Sequence, residues 1–316
     1  MQRRAFAASV VLSVSLALAP HAQADRPATG VPAAPQIVAL APAPGDDARK
    51  VIAIGPAGQI FEPDKTGGWV RDSAITISDR VTAVGRAGAS VVVRGDGVIF
   101  RLAANGWTAI RIAQKGKAQM SSGAGAVAAI GRQIYALDRS ASGEPTKLAL
   151  APGPVLALGG GKSIVVATER GLFRLEGTRM APIKRSPRRV NRLIGDRWAL
   201  VDRGAVDLRS GVTTPWPSGL EILTVAAGPG DGLVAVGSTR TGLELVTVVK
   251  TKLERVRLPD EITGAAVGVA LDRSARAVVA FHDGRLAVRD RGVWKVVTVR
   301  EALPAPRPGP PPAASP

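Results

Sequence analysis

One short block recurs along this chain and limits what the chain can fold into. "RGDGVIFRLAANGW", Arg94 to Trp107, sets a Gly-Asp-Gly turn, a short apolar strand and an Asn-Gly turn before a tryptophan. That is the grammar of a β-hairpin. Aligned on the strand after the first turn, the copies read GQIF ending at Phe61, GVIF at Phe100, RQIY at Tyr135, RGLF at Phe173, GAVD at Asp207, GLEL at Leu245 and GRLA at Ala287. The spacings are 39, 35, 38, 34, 38 and 42 residues, with a mean close to 38. A steady period of this size marks a repeat architecture, in which each unit buries its faces against its neighbours.

Each copy carries the same surroundings. An apolar strand precedes the turn, as in VIAIG from Val51, SVVVRG from Ser90, SIVVA from Ser163 and LVAVG from Leu233. A bulky residue opens a further strand, at Trp69, Trp107, Met180, Trp216, Leu253 and Trp294, with Leu148 the nearest candidate in the third copy. Another apolar stretch starts each unit, such as QIVAL, PVLAL and EILTV, and the copy around SSGAGA is the weakest. Strand periodicity is visible from Trp107 to Ile112, and no helical period competes with it. Four strands per unit and seven units between about Gln36 and Val299 predict an all-β, seven-bladed β-propeller of four-stranded antiparallel blades. A linear β-solenoid is the rival, but its coils are usually shorter. QIVAL reads as an innermost strand and WKVVTV, Trp294 to Val299, as an outermost one. No blade then takes strands from both ends, and the ring closes by packing of the last blade face on the first.

The repeats also resemble known ones. VVATERGLFRLEG, Val165 to Gly177, is similar to the repeat of bacterial two-component-regulator-type propellers. IYALDRSASGEP, Ile134 to Pro145, resembles the repeat of pyrroloquinoline-quinone-type, WD40-like propellers, and VDLRSGVTTPW, Val206 to Trp216, is a looser version. The resemblance implies a fold and leaves activity open.

The ends lie outside the expected propeller, residues 36–303. Arg3 and Arg4, the uncharged run Ala5 to Leu18 and Ala22-Gln23-Ala24 form a secretory signal over residues 1–24, with cleavage expected before Asp25. A retained anchor is disfavoured because the run falls short of the ~20 apolar residues of a membrane span. Export by the general or the twin-arginine route stays open. Residues 25–35 form a Pro-rich linker, and 304–316 hold seven prolines in thirteen residues, expected to be a disordered tail. The chain has no cysteine, so lipidation at a cysteine, disulfides and thiolate metal sites are excluded. The expected product is a periplasmic or secreted monomer.

Chemistry is sparse. His282 is the one histidine beyond the signal, set in FHDGRL with no nucleophile elbow anywhere. It reads as a turn residue. Asn105 and Asn191 are the only asparagines, and Asp46-Asp47 and Asp260-Glu261 the only adjacent acidic pairs, a poor stock for calcium. GGGK, Gly159 to Lys162, is followed by a strand rather than the helix of a phosphate loop. Tyr135, the sole tyrosine, stands at the core position Phe100 fills in another copy. No catalytic residue, cofactor or metal site is assigned.

Charge is the remaining signal. The whole chain has 42 basic and 25 acidic side chains, and removing Arg3 and Arg4 leaves a formal +15. Only 10 of the basic residues are lysine, a skew that the codon bias of a GC-rich genome also produces, so codon bias and function both stay open as its source. KRSPRRVNR concentrates Lys184, Arg185, Arg188, Arg189 and Arg192 in the connection between two units. It reads either as a solvated loop or as a contact for an acidic protein or an anionic envelope polymer. Nucleic acid is a poor partner for an exported chain without stacking aromatics. The sequence thus favours a non-catalytic binding platform. The alternative is a propeller hydrolase or lyase with carboxylates in the central channel.

Overall fold

The apolar runs that precede each hairpin turn are buried on both faces, and this organises the molecule. The computed structural model describes residues 35–300 apart from 43–50, 65, 73–75, 78–79, 88–89, 96–97, 104–105, 113, 115, 122, 138–143, 188 and 272–275. The signal, most of the linker and the tail lie outside the described residues, as do Asp46 and Asp47. In the first run Val51 and Ala53 join one core cluster while Ile52 and Ile54 join another. In the last, Ala277, Val279 and Phe281 face one cluster, and Val278 and Ala280 the next. Strand side chains alternate between faces, so a strand sandwiched between two blades must be apolar at every position. Val and Ala fill this role because the packed faces are close and continuous.

The strands run in antiparallel meanders. The first holds β1 (Ala39–Pro42), β2 (Val51–Ile54), β3 (Ile60–Pro63) and β4 (Trp69–Asp72). Next come β5 (Ala83–Ala87), β6 (Ser90–Arg94), β7 (Ile99–Ala103) and β8 (Gly106–Ile110). The third set is β9 (Gln119–Met120), the short β10 (Gly123–Ala124), β11 (Val127–Ile130), β12 (Gln133–Ala136) and β13 (Thr146–Leu150). Then follow β14 (Val155–Gly160), β15 (Ile164–Thr168), β16 (Gly171–Glu176) and β17 (Arg179–Pro182). β18 (Arg192–Ile194), β19 (Trp198–Val201), β20 (Gly204–Asp207) and β21 (Thr213–Pro215) precede β22 (Glu221–Ala227), β23 (Leu233–Thr239), β24 (Gly242–Val249) and β25 (Lys252–Arg257). The last set is β26 (Ala266–Leu271), β27 (Ala277–Phe281), β28 (Arg285–Asp290) and β29 (Val293–Arg300). The first strands of successive sets touch in a closed cycle, with β26 returning to β1, which makes the fold a propeller.

The expectation of seven separate four-stranded blades is corrected. Among the described residues five sheets are free-standing blades, one of them widened to five strands by β10. The first four and last four strands instead fuse into one eight-stranded sheet, ordered β1-β2-β3-β4-β29-β28-β27-β26. The cause is a parallel ladder between the two outermost strands, Val299 with Trp69 and Arg300 with Val70. Closure also corrects the sequence reading. β1 does not pair with β29, and Ile37, Val51, Phe61 and Trp69 do pack against Val278, Leu286 and Val299. Backbone pairing is added to that face packing, by the β4–β29 ladder and by the Ile37 N–H donating to the His282 carbonyl at 3.4 Å.

The weak third copy has a physical reason. SSGAGA spends Gly123 and Ala124 on a parallel pairing with Gly85 and Arg86 of the preceding blade, so its own inner strand shrinks to two residues. Glycine also lets inner strands meet. A side chain on Gly159 would collide with the Gly195 carbonyl, and one on Gly160 with the Gly125 carbonyl. GGGK is thus the end of β14 and its turn into β15.

Candidate functional site: a cationic connection ending at the inner rim

In a four-stranded meander, the turn between the second and third strands lies at the same end as the connection from the fourth strand to the next blade. Residues 183–191 are such a connection, from β17, the outer strand of one blade, to β18, the inner strand of the next. The connection therefore runs from the outside of the propeller to its inner rim. The Ile183 N–H donates to the Leu172 carbonyl at 2.9 Å and fixes the start. Arg185 then takes a positive φ of 59°, uncommon for a residue with a side chain, and its Cβ and Cδ lie against Gly211 of the next blade. Val190 packs on the core between the two blades. The Asn191 N–H donates to the Leu200 carbonyl at 2.8 Å, and the Asn191 side-chain amide donates to Asp202 at 2.9 Å.

Lys184, Arg185, Arg189 and Arg192 are all exposed; Arg188 lies outside the described residues. Among the described residues no carboxylate comes within 4.0 Å of these four cations. Arg192 is the first residue of β18 rather than a loop residue. The residue as a whole is exposed, but protein crowds its guanidinium, and desolvation lowers its pKa. Arg170 and Arg203, in second-to-third turns of the flanking blades, lie at the same end, each beside an exposed acid, Glu169 and Asp202.

Five other arginines, at 197, 209, 255, 257 and 285, behave differently. Asp207 is 3% exposed and accepts from Arg197 at 2.8 Å and from the Arg209 N–H at 3.0 Å. Burial raises the Asp207 pKa, but the Arg197 hydrogen bond and the Arg209 N–H outweigh it and leave the carboxyl below its ordinary value. Arg209 also pairs with Asp231 at 2.9 Å, and Arg197 lies over the Trp198 ring at 5.4 Å. Arg255 grips the buried Glu244 with two bonds of 2.6 and 2.7 Å. Arg257 pairs with Asp260, and Arg285 with Asp283. Arg257 and Asp260 help line an open cleft of 490 Å³ with Ser238, Thr241, Leu243 and Thr263, and their charges neutralise each other.

The remaining sequence candidates take structural places. Tyr135 is buried, donates to Gln114 at 2.7 Å, and has its pKa raised by desolvation. His282 follows β27, half-buried, its N–H on the Ala265 carbonyl. Trp216 follows β21 and packs beside Trp198 and Leu220 instead of opening an outer strand. Among the described residues no three His, Asp or Glu side chains gather closely enough to hold a metal ion, and no helix is long and apolar enough to cross a membrane.

The sequence reading missed one feature of the rim. β14, β22 and β26 each carry a β-bulge near the start, and the extra residues are Leu156, Leu223 and Val267. Leu156 is 57% exposed and Leu223 is 39% exposed, high values for leucines on inner strands. PVLAL and EILTV look like ordinary apolar strands, and nothing in their residue types announces a bulge.

No family model and no curated protein matches the chain. Solved structures do share its fold. A streptogramin B lyase aligns with a TM-score of 0.54 and 13% identity, over 80% of this chain and 93% of that one. The WD40 β-propeller domain of Doa1 gives 0.54 and 12%, over 82% and 94%. YCF48 from Cyanidioschyzon merolae gives 0.55 and 17%, over 81% and 95%. At these identities the likeness shows a β-propeller and leaves the activity open.

Proposed function

We propose that this chain is an exported, non-catalytic β-propeller that docks an anionic partner, protein or envelope polymer, on the 184–192 connection. The observation that carries the reading is concentration: Lys184, Arg185, Arg189 and Arg192 fall within nine residues, all exposed and holding no carboxylate among the described residues, whereas arginines at 197, 209, 255, 257 and 285 hold one. Charge left uncompensated along a connection costs stability through mutual repulsion and favours an anionic ligand. The segment 1–24 supplies the export part of the proposal. Among the fold relatives, YCF48 is described bound to a D1 peptide, a precedent for a propeller of this build as a docking body. The streptogramin lyase supplies the fold alone.

The test neutralises Lys184, Arg185, Arg189 and Arg192 to Gln and measures retention on an anionic matrix and on envelope fragments across a salt series. Each exposed cation is worth about 1 kcal/mol or less and is screened over ~8 Å at physiological salt. Several acting together give salt-sensitive retention, and the variant is expected to lose it. The control carries Gln at Lys147, Lys162, Lys252 and Arg291, all exposed and outside the connection. Equal loss in both variants reduces the effect to net charge and removes the proposal.

A further inference from the structure

The inner rim adds to the cationic connection something an anionic polymer does not use. β14, β18 and β22 are consecutive inner strands that touch one another, and their starts lie at the same end of the propeller. On β14 a bulge turns Leu156 outward, and on β22 a bulge at the matching place turns Leu223 outward. Bulges re-aim side chains and recur next to working sites. Two bulges at matching places, each exposing a leucine, make a built feature of the rim. Between them, on β18, stands Arg192, exposed and without a carboxylate partner among the described residues. The nearest acids along the chain are Asp196, which accepts from the Ser163 N–H and hydroxyl, and Asp202, which accepts from Asn191; neither pairs with Arg192.

We infer that Leu156, Arg192 and Leu223 form one site for an acidic protein segment bearing an aliphatic or aromatic anchor, its carboxylates on the connection and its anchor between the two leucines. The inference rests on the proposed docking function and decides between its two classes of partner. A polyanionic carbohydrate satisfies the cations alone and leaves both leucines in water. A peptide satisfies both, and apolar surface flanking a single cation is what such a segment presents in reverse. Desolvation of the Arg192 guanidinium agrees, because a cation already crowded by protein loses less hydration when a carboxylate arrives.

The experiment uses the full propeller and two synthetic acidic peptides of equal length and charge, one interrupted by serines and the other by leucines. Wild type is expected to bind the leucine peptide about tenfold more tightly, since burying part of one anchor contributes on that order. Leu156→Ser with Leu223→Ser should bring the leucine peptide down to the serine peptide and leave the serine peptide unchanged. Leu156→Met with Leu223→Met should keep the preference, and Arg192→Gln should weaken both peptides. Equal binding of the two peptides by wild type overturns the rim site and leaves cationic docking standing. So does an anionic polysaccharide of matched charge that binds as tightly as the leucine peptide. Binding of neither peptide overturns the rim site, and binding of none of the three ligands overturns both readings. A thermal midpoint within the wild-type range for each variant keeps loss of fold out of the comparison.

Discussion

At the scale of single residues, pairing separates structural charge from available charge. Asp207 stands where other repeats place Phe, Tyr, Leu or Ala, and it is tolerated because Arg197 and the Arg209 N–H meet it in the core. Asp207→Asn takes from the Arg197 guanidinium, only 17% exposed, its hydrogen-bonded counter-charge and leaves it Asp231 at 3.9 Å. It should destabilise the fold by roughly 3 kcal/mol, measured by urea unfolding at neutral pH. The pH dependence has a fixed sign. The folded pKa of Asp207 lies below the unfolded value near 3.9, so its stabilisation is complete above that pH and drains away as pH falls through the folded pKa. The Asn variant should therefore lose less stability than wild type between neutral pH and pH values below about 4. An equal acid loss in both proteins contradicts this role.

At the scale of elements, the recurring bulky residue proves to be a wedge onto the preceding blade. Trp69 packs against Val278, Leu286 and Val299, Trp294 against Val234 and Leu245, and Trp107 against Ile52 and Ile54 while donating to the Gly58 carbonyl at 2.9 Å. Trp69→Ala should cost ~3–5 kcal/mol in denaturant unfolding, because it hollows the junction where the two ends of the propeller meet. Gly160→Ala sets a Cβ against the Gly125 carbonyl and should cost about 2 kcal/mol, where substitution of the open Gly177 by Asn should cost little. The strands and their order were legible in the sequence because burial on both faces forces an unbroken apolar run, and turns force Gly and Asp. The β4–β29 ladder was not legible. Residues 299 and 300 carry no signature for pairing with 69 and 70, and parallel contact between distant strands is a matter of geometry. The bulges at Leu156 and Leu223 were hidden for the same reason, and Arg192 was legible as a cation but not as a strand residue.

At the scale of the whole molecule, the excess of basic over acidic residues gains meaning from where it is left unanswered. Bidentate or buried pairs absorb part of the positive charge, and the connection between β17 and β18 carries an unanswered share from the outside to the inner rim. The central claim is that this end of the molecule is the docking face. A photo-crosslinking residue at position 189, compared with one at position 178 in the exposed turn between β16 and β17, tests it most directly in the native envelope. The account predicts adducts at 189 that map to acidic segments and fade as salt is raised, with few at 178. Adducts of equal yield at both positions, or adducts at 189 to segments without excess negative charge, would contradict it.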